Sequence, residues 1–137
     1  MRVVADTNIV VSGLLWRGKP RQILDAARDG IIELFTSPTL LEELEEVLTR
    51  PKFGAMLEAA DVTPHELVLG YAALTTVIEV AQIEPVVLAD RDDDDVLACA
   101  LTAQGDVIVS GDSHLLDVKQ HHAIRILSAA ELLGEIP

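Results

Sequence analysis

Asp90-Arg-Asp-Asp-Asp-Asp-Val-Leu-Ala-Cys-Ala-Leu-Thr-Ala-Gln-Gly-Asp-Val-Ile-Val-Ser-Gly-Asp112 is the stretch from which the fold is read. Its carboxylates open a short apolar helix and Gln104-Gly105 marks a turn. Val107-Ile-Val109 follows as a β-branched run suited to a strand buried on both faces, and Asp112 stands just past its end. A second strand of the same kind, Arg2-Val-Val-Ala5, ends at Asp6. If the two lie side by side in a parallel sheet, Asp6 and Asp112 both emerge at carboxyl ends of strands, where open α/β sheets form their ligand crevice. The occupant expected of so acidic a crevice is a divalent metal ion.

The 137 residues suit one domain spanning 1–137, and half of them are apolar, enough for a core without staples. A single cysteine, Cys99, sits in the apolar helical run and fits a structural thiol in a reducing compartment, so the cytoplasm is the expected location. Asp6 follows three apolar residues, too soon for a secretory segment, and no apolar run approaches a membrane span. Ten Lys and Arg against 23 Asp and Glu give a net charge of −13, which opposes indiscriminate binding to nucleic acid. Acids that hold metal ions would lessen that objection, because a phosphate substrate would then meet cations.

Taken in order, Asp6-Thr7-Asn8 ends the first strand, and Asp6 is also placed to cap a helix over Ile9–Leu15. Arg17, Lys19 and Arg21 form the densest basic patch, either a phosphate-contacting lip or a solvated loop with Trp16 packed down. Pro20 suits the first turn of a helix that ends at Gly30, and Ile31–Phe35 is expected as a second strand. Ser37-Pro38 starts a helix with Leu40, Leu41, Leu44, Val47 and Leu48 in one stripe; Glu42 and Glu46 point away from it, while Glu43 and Glu45 flank it on opposite sides. Pro51 stops that helix. Residues 52–83 are expected to be more helix, with a capping box at Thr63–Glu66 and Leu67, Leu69, Leu74 and Val77 among its apolar positions. Glu84–Ala89 reads as extended, Ser113–Asp117 as a helical turn, Ala123–Leu127 as a last strand and Ser128 onward as a capped final helix. Strands alternating with helices give an α/β domain with a mostly parallel sheet.

Asp92 to Asp95 could serve as an acidic first turn, each carboxylate contributing roughly 0.3–1 kcal/mol with the helix dipole. Four in succession repel one another, which leaves the run only partly explained. The blocks Asp6-Thr-Asn8, Ser37 to Phe53, Asp90 to Ala98 and Val109-Ser-Gly-Asp-Ser-His-Leu-Leu116, in this order and spacing, resemble a PIN domain over nearly the whole chain. The likeness is to the bacterial and archaeal branch of toxin components of toxin–antitoxin pairs.

That resemblance implies a three-layer α/β/α sandwich around a central, mostly parallel sheet. It also implies an acid quartet that binds one or two Mg²⁺ or Mn²⁺ ions and hydrolyses phosphodiester bonds, usually in RNA. The quartet falls on Asp6, Glu43, Asp93 and Asp112, with Asp92 and Asp94 flanking the third position; the inward-flanking angle of Glu43, against the outward Glu42, agrees with it. Asn8 and Ser110 match polar positions beside the metals, and with Thr7 they are expected to orient ligands or water. Oxygen donors alone suit hard divalent cations. Ionised carboxylates at ~5 Å would repel by roughly 3 kcal/mol per pair at an effective dielectric of about 20, a strain that a cation relieves. Arg17, Lys19 and Arg21 are the expected substrate contacts.

The expected function is thus a metal-dependent ribonuclease, the toxin of a toxin–antitoxin pair, with RNA as substrate, a basic antitoxin protein as partner and a homodimer through the helices at 38–50 and 64–78. The alternative is a PIN-like module that is catalytically silent and binds a partner protein or RNA. A haloacid dehalogenase-type phosphotransferase would need a second Asp where Asn8 stands, and a receiver-type domain would need a phosphoacceptor Asp directly after Phe35 or Leu88.

Overall fold

The computed structural model describes residues 1–80 and 91–137, with backbone alone for 91–93. The expected extended segment Glu84–Ala89 lies outside the described residues. Strand β1 (Arg2–Ala5) occupies the interior of the sheet, parallel to β2 (Glu33–Thr36) on one side and β4 (Val107–Val109) on the other. Among the described residues β3 (Thr76–Val77), β5 (Gln120–His121) and β6 (Ile124–Leu127) complete it in the order β3-β2-β1-β4-β6-β5, every pairing parallel except β5 with β6. The chain moves outward from β1 to β3 and then returns to set β4 on the other flank of β1. The topological switch point therefore falls between β1 and β4.

Alternate residues of a strand face opposite sides, and here both sides are apolar. Val3, Ala5, Val107 and Val109 enter one cluster with residues of α1 (Thr7–Leu15), α2 (Lys19–Arg28), α3 (Pro38–Leu48), α4 (Gly54–Ala59), α5 (Pro64–Leu74) and α8 (Ala129–Leu133). Val4 and Ile108 enter another with α6 (Arg91–Thr102) and α7 (Ser113–Val118). Helices thus cover both faces, the three-layer α/β/α arrangement. Helix α3 feeds both clusters, Leu40 joining the second and Leu44, Val47 and Leu48 the first. Its Ser37 cap, accepting from the Leu40 amide at 3.2 Å, fixes it directly at the carboxyl end of β2.

Three departures from the sequence expectations have local causes. Helix α5 begins with the Thr63–Glu66 capping box but stops at Leu74, and Val77 is in β3 rather than in a helix. The β-branched run Thr75-Thr76-Val77-Ile78 disfavours further helix, and the Ile78 amide instead reaches Thr36 O at 2.9 Å. Strand β2 starts at Glu33, because Gly30 (φ +76°) lets the Ile31 and Ile32 amides fold back onto Ala26 O. The last strand carries an unforeseen hairpin partner, β5, framed by Lys119 and His122 with positive φ.

Helices α1 and α2 approach closely at Gly13. A Cβ there would stand 2.8 Å from Leu24 Cδ1 and 3.0 Å from the Pro20 carbonyl oxygen. Alanine gains about 0.5–1 kcal/mol in a helix interior, but overpacking against a buried leucine and fixed backbone costs about 1–3 kcal/mol. Gly13→Ala is expected to lower the urea midpoint, by a net of about 1–2 kcal/mol; an unchanged midpoint would show that Leu24 yields freely.

Candidate functional site

Asp6 continues β1 by one residue, its amide reaching Val109 O at 3.0 Å, so the ladder with β4 carries its side chain to the switch point. It then caps α1: Oδ1 accepts from the Ile9 amide at 2.9 Å. Oδ2 accepts from the Ser110 hydroxyl and from the Gly111 amide, the latter at 3.3 Å. The capping role and the site role expected of Asp6 thus use different oxygens of one carboxylate, which is only 5 % exposed. Burial pushes its pKa above the ordinary carboxylate value, and the charge of Asp112 adds to the rise. The hydrogen bonds from Ser110, Ile9 and Gly111 offset part of it.

Ser110 follows β4 and is wholly buried. While its hydroxyl donates to Asp6, its oxygen accepts the Asp112 amide at 2.9 Å. Asp112 is half-buried and caps α7 through Oδ1, which takes the His114 amide at 2.7 Å and lies 3.4 Å from His114 Nδ1. One serine thereby links two acids that are 106 positions apart, the difference of 112 and 6.

Glu43 is half-buried with its Oε2 enclosed, whereas Glu42 is exposed. Glu45, on the other flank of α3, meets His65 Nδ1 at 2.9 Å. Helix α3 packs against α1, which starts after Asp6, and against α6, which carries the acidic run. Asp93 belongs to the first turn of α6, but its side chain lies outside the described residues, as does that of Asp92. Asp94 and Asp95 are half-buried, and the charge of Asp94 acts on His121. Among the described residues no group of three or more His, Cys, Asp or Glu side chains is close enough to hold a metal ion.

Thr7 is buried in the first turn of α1 and Asn8 is exposed. Arg17 and Lys19 are exposed, but Arg21 is half-buried and gives its guanidinium to Gly13 O and Leu14 O, both at 3.0 Å, closing the end of α1. Trp16 is 45 % exposed and tilts against Phe53 with ring centroids 6.1 Å apart.

One residue near these acids escaped the sequence reading. Tyr71 is buried on α5, its hydroxyl has no hydrogen-bond partner among the described residues, and burial foremost, with Cys99 and Asp6 nearby, raises its pKa. Its one sequence signal is a hydroxyl-bearing residue at the apolar i+3 position from Val68. Cys99 itself is a buried thiol, pushed up to about 12 by desolvation, with the Ser37 side chain offsetting part of the rise.

The Asp6 shift has a definite sign. Folding favours the protonated carboxyl, so this contribution to stability is complete below the unfolded value near 4 and is lost as pH rises through the higher native value. In EDTA, wild-type thermal stability is expected to show a decline with pH over that window which Asp6→Asn lacks; parallel curves would refute the raised value. Ser110→Ala removes a donor to a buried carboxylate and the acceptor of an amide, and is expected to cost about 2–3 kcal/mol in urea denaturation.

A family model described as PIN domain matches residues 2–114. No curated protein matches the chain. The matched span takes in β1 to β4, the switch point between them, the Asp6–Ser110–Asp112 bridge, and the positions of Glu43 and Asp93, and on this ground the chain belongs to the PIN domain family.

Proposed function

We propose that the chain is a divalent-metal-dependent ribonuclease whose acidic site is formed by Asp6, Glu43, Asp93 and Asp112. The observation that carries this reading is the buried carboxylate of Asp6, held at the switch point beside Asp112 by a shared serine. This carboxylate is enclosed, its pKa is raised by burial and by a second acid, and among the described residues no positive charge acts to lower it. A cation is the countercharge it suits. The donors are oxygens only, which fits Mg²⁺ or Mn²⁺ better than softer metals. PIN domains are generally nucleases and typically use divalent ions.

When bound, such an ion would supply an acidified water and charge compensation for the oxygens of a phosphodiester. The chain's own residues set the geometry. Ser110 holds Asp6 Oδ2 and thereby orients the carboxylate, while its oxygen fixes the Asp112 backbone. Thr7 and Asn8, which follow Asp6 at the start of α1, would order ligands or water. Arg17 and Lys19, exposed at the start of α2, are available for phosphate contact.

The net charge of −13 favours a basic protein partner, and with the family likeness it supports the reading of a toxin held by an antitoxin in a prokaryotic cytoplasm. A homodimer belongs to the same reading. No helix among the described residues is long and apolar enough to cross a membrane.

Purified protein is expected to cleave a mixed pool of structured and single-stranded RNAs in Mn²⁺ or Mg²⁺ and not in EDTA. Asp112→Asn keeps an oxygen for the His114 amide and should stay folded, yet its cleavage should fall to background, as should that of Asp93→Asn. Undiminished cleavage in EDTA or in these variants would sink the proposal. Metal binding by a folded protein that cleaves nothing would favour the silent binding module.

A further inference from the structure

Tyr71 is the chain's only tyrosine. It is 3 % exposed, and its hydroxyl is buried with no hydrogen-bond partner among the described residues. Native folds rarely leave a buried hydroxyl without a bond, and phenylalanine would fill nearly the same space at no polar cost. The location gives the hydroxyl a use. Helix α5 packs on α3, and Tyr71 joins an apolar cluster with Ala5 and Ile9, which bracket Asp6, and with Leu44, the neighbour of Glu43. The charge of Asp6 is felt at the phenol, and Cys99, on the opposite layer, is near enough to couple to it when both titrate. The ring therefore lies in the layer where α5 packs on α3, within reach of the Asp6 charge.

We propose that Tyr71 is a positioning residue of the acidic site, its hydroxyl donating a hydrogen bond to an oxygen of the ligand shell on the Asp6 side once a divalent cation is held there. This rests on the metal reading given above. Desolvation, reinforced by Cys99 and Asp6, raises the phenol's pKa well beyond its ordinary value. Tyr71 is thus a neutral donor wherever the carboxylates are ionised. A carboxylate that shares its electrons with a cation must keep one orientation, and a donor fixed in the core can impose it at no further ordering cost. The phenol becomes satisfied only when the site is loaded.

The test uses the full chain and Mn²⁺ alone as the probe, comparing wild type with Tyr71→Phe by calorimetry, tyrosine difference absorption and thermal melting. Tyr71→Phe is expected to bind Mn²⁺ about 10-fold more weakly. Mn²⁺ should shift the tyrosine band in wild type, a signal that one residue alone can give and that the variant's blank identifies. In EDTA the variant should melt at or above the wild-type temperature, because the hydroxyl bonds nothing there; a purely structural hydroxyl would instead lower it when removed. Equal Mn²⁺ affinities, or a silent tyrosine band while wild type binds Mn²⁺, overturn the role of Tyr71 and leave the metal site standing. A wild type that takes up no Mn²⁺ overturns the metal reading and this one together.

Discussion

A carboxylate buried at the end of an interior strand is the constraint on which this molecule turns. Taking the Asp6 side chain out of water is costly unless donors replace its hydration. Three do so: the Ile9 amide, the Ser110 hydroxyl and the Gly111 amide. Each donor depends on a different level of structure. Ile9 requires that α1 begin immediately, Gly111 requires β4 beside β1, and Ser110 requires in addition that the strand end in register with Val109 beside Ala5. A one-residue slip would turn Ser110 to the other face. The double-sided apolar pattern of Val107-Ile108-Val109 therefore protects the register weakly by itself, and the polar bridge at its end discriminates more strongly.

The apolar layers serve this arrangement from both sides. Helix α3 sends Leu40 to one cluster and Leu44 to the other, which holds Glu43 at an edge rather than over a single face. Its neighbour Glu42 is left to solvent. The small residues Ala98 and Ala100 in α6 are buried, as is Cys99, so the helix that carries the acidic run lies close to the strands. Packing thus determines which of several nearby acids turn inward, something charge alone could not decide in so acidic a chain.

Much of this was legible in the sequence where a local signal and the tertiary outcome agree. β1 and β4, the Ser37 cap, both capping boxes and the placing of Asp6 and Asp112 at strand ends all belong to that class. Elsewhere local chemistry pointed away from the outcome. Ile31 and Ile32 are good strand formers, yet their amides close the end of α2. At Gln104-Gly105 the left-handed position falls on Gln104 (φ +54°) and not on the glycine. The β5–β6 hairpin depends on positive φ at Lys119, just before β5, and at His122, in its turn, residues that give no hairpin signal. In the site, the inward angle of Glu43 followed from helical geometry, but the cross-chain bond from Ser110 to Asp6 could not follow from spacing. Arg21 resembled Arg17 and Lys19 as a basic residue; only the fold shows its guanidinium tied to the α1 carbonyls. Tyr71 gives no signal of its own in the sequence, because its ring fits an apolar helical position.

The bridge between Asp6 and Ser110 spans 104 residues, and that span orders events during synthesis. A ribosome adds roughly 5–20 residues per second, so Asp6 is made seconds before the strand that completes its surroundings. Until β4 is available the first acid has neither its serine nor its second carboxylate, and no local segment can substitute for them. A nascent chain that stops short of Ser110 and Asp112 therefore lacks the linked pair of acids altogether, and the centre comes together in one late step rather than growing piece by piece.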